Sequence, residues 1–127
     1  MAEILGTARS GTSTIDGVSC ENCHGRAEPW IRSHTRTDLG HAERTNLGIR
    51  DLRDIYVRAN KCVACHQNLD GQILAAGHPE LIFELDGQAA SQPRHWREKL
   101  DHGQLWLEGQ AVALREMSWQ LTDSKQP

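Results

Sequence analysis

Large aromatic side chains are scarce in this chain: of 127 residues one is Phe and one is Tyr, and aromatics make up 5%. Hydrophobic residues reach only 38%, so a core built from protein side chains alone would be thin for the single domain this length suggests. No apolar run approaches the roughly 20 residues needed to span a bilayer, and no transmembrane segment is expected. No block of five or more basic residues occurs, arginine is dispersed, and the net charge is −3; nucleic acid is therefore not an expected partner. No segment sustains the apolar–polar alternation of a strand. Met1 to Leu5 lacks both the basic start and the apolar segment of a signal peptide. Methionine is limited to Met1 and Met117.

Cysteine is equally sparing, but its placement is informative. All four cysteines fall in two pentapeptides, Cys20-Glu21-Asn22-Cys23-His24 and Cys62-Val63-Ala64-Cys65-His66. Cys-x-x-Cys-His is the attachment sequence of c-type haem. Two thiols add across the vinyl groups, and the following histidine is close enough to ligate the iron from one face. A zinc site also uses Cys-x-x-Cys pairs, yet four thiolates already close a tetrahedral site and leave the two histidines unexplained. A thioredoxin-like pair would need a βαβ context, and disulfides within such pairs are the weakest of the alternatives. The expectation is two covalent haems, attached at Cys20, Cys23, Cys62 and Cys65, with His24 and His66 as proximal iron ligands. Two haems would also supply the apolar surface that the composition lacks and account for seven histidines. Covalent attachment takes place outside the cytoplasmic membrane, so a periplasmic or otherwise exported protein is expected, with its leader or a longer N-terminal region missing from this sequence.

The chain order fits a mainly α fold with long loops around cofactors. Residues 1–18, rich in Gly, Ser and Thr, read as an arm, 19–121 as one dihaem domain, and 122–127 as a frayed tail. Residues 31–48 read as irregular chain punctuated by Gly40 and Gly48. Leu52, Ile55, Tyr56 and Ala59 predict a helix over 49–61 that runs directly into Cys62. Pro79 to Leu85 reads as one to two helical turns with Pro at the first position, and 87–92 as a break. Trp96, Leu100, Leu105, Leu107, Ala111, Leu114 and Trp119 predict helices over 94–102 and 104–121, divided at Gly103 and Gly109.

Each iron has a sixth position. With methionine all but excluded, five histidines remain: His34, His41, His78, His95 and His102. His78 is expected as a distal ligand because Gly77 lets the backbone approach a flat ring and Pro79 fixes the exit. His34 is the second, in a loop with Trp30 close by to pack on porphyrin. His95, His41 and His102 stand in reserve, and the pairing of distal histidine with iron is open. Trp30, Trp96, Trp106 and Trp119 serve equally as haem-packing or ordinary core residues.

Gly17-Val18-Ser19 with the first motif and Gly25 resembles bacterial multihaem cytochromes c, especially those related to the tetrahaem electron carrier that accepts electrons from hydroxylamine oxidoreductase. Asn60-Lys61 with the second motif, then Ala75-Ala76-Gly77-His78-Pro79 and Phe83-Glu84-Leu85, is similar to a haem-plus-Gly-His-Pro arrangement in larger proteins of that group. The resemblance covers about residues 17–107 and implies a mainly helical fold, closely packed bis-histidine haems and electron transfer, with His34 and His78 at the distal positions. It departs from the family in carrying two motifs rather than four or more. The expected function is that of an electron carrier, not an enzyme: saturated irons leave no place for substrate, and redox proteins dock weakly over an exposed haem edge. Two readings stand beside it. One is a haem enzyme or small-ligand sensor with one open iron, its distal pocket lined by Arg32, Arg36 or Arg94; the other is a conduit module of a larger multihaem complex.

Overall fold

The computed structural model describes residues 18–67, 69–94, 96 and 98–123; residues 1–17 of the arm, His95 and the last four residues lie outside them. The described chain is mainly helical, as expected, and no strand occurs among the described residues. It divides into two compact units, one ending at Arg53 and one beginning at Asp54. No helix among the described residues is long and apolar enough to cross a membrane.

The first unit holds α1 (Cys20–His24) and α2 (His41–Asn46). Helix α1 is a single capped turn. The Oδ1 atom of Asn22 accepts from the Ser19 backbone N–H at 2.8 Å and from the Ser19 hydroxyl at 2.9 Å, which ties the start of the turn to its third residue. Gly25, at φ 83°, ends it and donates its N–H to the Glu21 carbonyl. A series of turns follows, with Ile31 N–H bonded to Ala27 O and His34 N–H to Trp30 O. Within the stretch read as irregular, Gly40 and Gly48 bracket the short α2 rather than interrupt a loop.

The second unit holds α3 (Ile55–His66), α4 (Gly71–Ala75), α5 (Leu85–Ser91) and α6 (His102–Asp123), with α3 and α5 both packed on α6. Its core is Ala59, Val63, Leu85, Ala89, Leu105 and Val112, joined by the partly buried Ile55, Cys62, Phe83 and Leu100. Leu85 and Leu105 are the largest fully buried side chains, each contributing about 1.5–3 kcal/mol by burial.

Side-chain caps explain where the helices depart from the sequence reading. The first long helix begins at Ile55, not 49, because Asp51 Oδ1 accepts the Arg53 N–H in a turn and Asp54 Oδ1 then accepts the Val57 N–H, each at 3.0 Å. It also continues through the second motif to His66. Residues 79–84 are not helical. The carboxylate of Glu84 caps α5 by accepting from Asp86 and Gly87 N–H, so Gly87 lies in a first turn and not in a break. Asp101 Oδ1 accepts the Gln104 N–H at 3.0 Å, which starts α6 at His102 and leaves the described residues of 94–101 outside it. Gly109 does not divide α6: it is buried where α6 meets α5, and a Cβ there would lie 2.8 Å from the Leu85 Cβ. It is glycine because two helices touch.

Candidate functional site

In both motifs the cysteines and the histidine occupy positions i, i+3 and i+4 of a helix that ends on the histidine. At this spacing the three side chains fall within an arc of about 100° on one face. The thiols differ in exposure: Cys20 and Cys65 are exposed, Cys23 and Cys62 half-buried. Cys62 packs on the second unit's core. Among the described residues, no group of three or more Cys, His, Asp or Glu side chains forms a metal cluster.

The first motif is held from outside by Arg50. Its N–H donates to the His24 carbonyl at 2.9 Å, its Nη1 donates to the Cys23 carbonyl at 3.0 Å, and its own carbonyl lies 3.4 Å from His24 Nδ1. A guanidinium at the C-terminal end of α1 also complements the partial negative charge there. Trp30, only 3% exposed, lies edge-on to two histidines, with ring centroids 6.3 Å from His24 and 5.6 Å from His34. Its indole N–H is buried with no acceptor among the described residues. His24, Trp30 and His34 thus form one cluster around the first motif.

The second motif is held by its neighbours in α5 and α6. His66 Nδ1 lies 2.9 Å from Gln88 Nε2, and Gln67 Nε2 donates to the Ala113 carbonyl while Gln120 Nε2 donates to the Gln67 carbonyl. Tyr56 and Asn60, earlier in α3, accept from the Arg115 guanidinium of α6 at 2.8 and 2.6 Å.

His78 is exposed and follows α4 through a Schellman turn. Its N–H donates to Ile73 O and that of Gly77 to Leu74 O, with Gly77 at φ 95°. A Cβ at Gly77 would meet nothing within 4 Å. The glycine therefore answers to its left-handed backbone, and no described protein atom crowds it.

Ring tautomers distinguish the histidines. A carbonyl oxygen only accepts, so the ring nitrogen facing it carries the proton and the other carries the lone pair. Nδ1 faces a backbone carbonyl in His24 (Arg50 O), His34 (Ile31 O, 2.6 Å) and His78 (Pro79 O, 2.8 Å). In their neutral form all three rings so held carry the lone pair on Nε2, as imidazoles that ligate a metal through that atom do. His41 differs, since its Nε2 is engaged by Asp51 Oδ2 at 2.9 Å. His102 Nδ1 faces Asp86 Oδ1 at 2.6 Å.

Charge near the first motif is also paired. Burial acts to raise the Asp51 carboxyl, but the Arg53 N–H and the His41 ring together hold it below its ordinary value. Arg36 is raised and Asp38 lowered by their mutual hydrogen bonds on the surface. Arg36 is thereby tied to Asp38, and Arg94 donates to the Glu98 carbonyl; Arg32 is exposed. Of the other tryptophans, Trp96 lies under the Arg58 guanidinium, 5.5 Å from its ring centroid, while Trp106 and Trp119 are exposed on α6.

Sequence reasoning missed Arg50 and Gln88. Each acts on a motif more than twenty positions earlier, through a single arginine or glutamine that no local pattern marks. No family model, curated protein or solved structure matches the chain.

Proposed function

We propose that this chain is a dihaem c-type cytochrome of the multihaem kind, exported and carrying electrons between redox proteins. The observation that carries the proposal is the pair of Cys-x-x-Cys-His helical turns, each bringing two thiols and a terminal histidine to one helix face. A porphyrin brings four nitrogen donors of its own, so the chain needs to offer only axial ligands and thiols. Cys20, Cys23, Cys62 and Cys65 would hold two haems by thioether bonds, His24 and His66 would ligate from one side, and His34 and His78 would complete the coordination.

Three further observations favour a large cofactor with carboxylates. His34 and His78 carry their lone pairs on Nε2. The buried Trp30 N–H has no acceptor among the described residues, and a haem propionate is one such acceptor. The core is small, while Val18, Ile31, Ile82 and several residues of α6 are left exposed. When bound, haem supplies a one-electron ferric–ferrous couple. The chain's part is to fix the axial rings, exclude exogenous ligands and set the potential, which histidine in place of methionine lowers.

The test is visible absorption of protein matured with haem-attachment machinery, oxidised, reduced, and reduced under carbon monoxide. A pyridine haemochrome count of two per chain with a carbon monoxide-insensitive reduced α-band is expected. His78→Ala is then expected to open one iron, so that about half the absorbance responds to carbon monoxide. A gas response in the unaltered protein would favour the open-iron reading, and absence of covalent haem would overturn the proposal.

A further inference from the structure

Of the four histidines assigned to iron, three present Nδ1 to a backbone carbonyl, and His66 alone presents it to a side chain. Gln88 Nε2 lies between two partners, His66 Nδ1 at 2.9 Å and the Ile82 carbonyl at 2.8 Å. An amide NH₂ donates to both, which places a lone pair on His66 Nδ1 and the ring proton on Nε2. That tautomer is the wrong one for ligation through Nε2. On the same side chain, Gln88 Oε1 is buried with no hydrogen-bond partner among the described residues. Gln88 belongs to α5, whose neighbours Leu85 and Ala89 are in the core, so its backbone is fixed and the amide is the part that can turn.

We infer that Gln88 is a positioning residue that sets the tautomer of His66 through a turn of its amide. The inference rests on the haem reading above. With Nε2 committed to iron, the ring proton would move to Nδ1, and a turn of the Gln88 side chain would bring Oε1 to accept it. That movement gives the oxygen a donor and withdraws the amide N–H from Ile82 O, and it must also carry the amide off that carbonyl, because Oε1 in the place of Nε2 would lie 2.8 Å from another acceptor. The two haems are thereby tuned by different means: one proximal ring is held by a main-chain carbonyl that no side-chain substitution at Arg50 removes, the other by an amide that a single substitution replaces. An acceptor at Nδ1 gives the ring imidazolate character and favours the ferric state, and its loss favours the ferrous state.

The experiment compares holoprotein with Gln88→Glu and Gln88→Leu, first by haem count and then by spectroelectrochemical titration. Two covalent haems in the unaltered protein and both variants establish the haem reading independently of the outcome at Gln88; fewer than two in the unaltered protein would overturn that reading instead. Neither substitution supplies a donor to Ile82 O, so a purely structural disturbance there is common to both variants and moves the potential in one direction. The expected result is opposite movement of one of the two midpoint potentials, down in Gln88→Glu and up in Gln88→Leu, with the other unchanged. The exchangeable Nδ1 proton of that axial ring, read by paramagnetically shifted proton resonance, is expected to exchange with D₂O at least about tenfold faster in Gln88→Leu, the factor corresponding to loss of one hydrogen bond. Shifts of the same sign, equal shifts of both haems, or unchanged potentials and exchange would overturn the inference. If Gln88→Leu fails to mature, a downward shift of one potential in Gln88→Glu with slow exchange supports it, and no shift overturns it.

Discussion

Asp51 illustrates how much a single side chain does near the first motif. It accepts the Arg53 N–H and the His41 ring and follows Arg50 in the chain. Its carboxyl is held below the ordinary value in the folded protein, so the stability it contributes is present above the unfolded carboxylate pKa, about 4, and is lost as pH falls through the folded value. Asp51→Asn is therefore expected to lower stability at pH 7 by under about 1 kcal/mol, because the pair is partly exposed, and the gap between the two proteins should close on acidification below about pH 4. Denaturant titrations at several pH values check this, and a gap that widened in acid would contradict it. At this scale the sequence was legible where chemistry is local. Cys20, Cys23, His24 and their counterparts announce themselves by spacing, whereas Arg50 and Gln88 reach their motifs only after the chain has folded back.

Helix ends were hard to read, because one capping carboxylate outweighs the apolar period that surrounds it. Asp54 and Asp101 each move a boundary by several residues, and Glu84 carries α5 across a glycine that composition marks as a break. The apolar positions were read unevenly: Ala59, Leu85 and Leu105 lie in the core and Leu100 packs against it, whereas Tyr56, Leu107, Ala111, Leu114 and Trp119 are exposed and the buried Val112 was passed over. The two glycines of α6 separate propensity from packing. Gly103→Ala meets only ordinary contact, with the Asp101 carboxylate 3.6 Å from the added carbon, and is expected to stabilise by up to about 1 kcal/mol. Gly109→Ala gains the same helical preference but forces a carbon to within 2.8 Å of Leu85 Cβ, and a net loss of about 1–3 kcal/mol is expected. Thermal melts of the two variants should shift in opposite directions.

For the whole molecule, the scarcity of aromatic and apolar residues in the sequence reappears as a core confined to a few small side chains. Ala59, Val63 and Ala89 bury little area each, and Trp30 is the one buried hydrophobic of the first unit among its described residues. A protein with so little to bury depends on its cofactor for stability if the haem reading holds. Chain produced without haem attachment is expected to lose roughly the whole 5–15 kcal/mol margin of an ordinary domain and to show weakened helical circular dichroism without a cooperative melt. A sharp transition in the haem-free chain would mean that the side chains suffice. The unequal burial of the thiols has a consequence of its own for such a chain. In the first motif the leading sulfur, Cys20, is exposed, whereas in the second it is the trailing one, Cys65. An alkylating reagent should therefore mark the two pentapeptides in opposite order, and on the proposed function the thioether bonds of the two sites would begin from opposite ends of the same five-residue sequence.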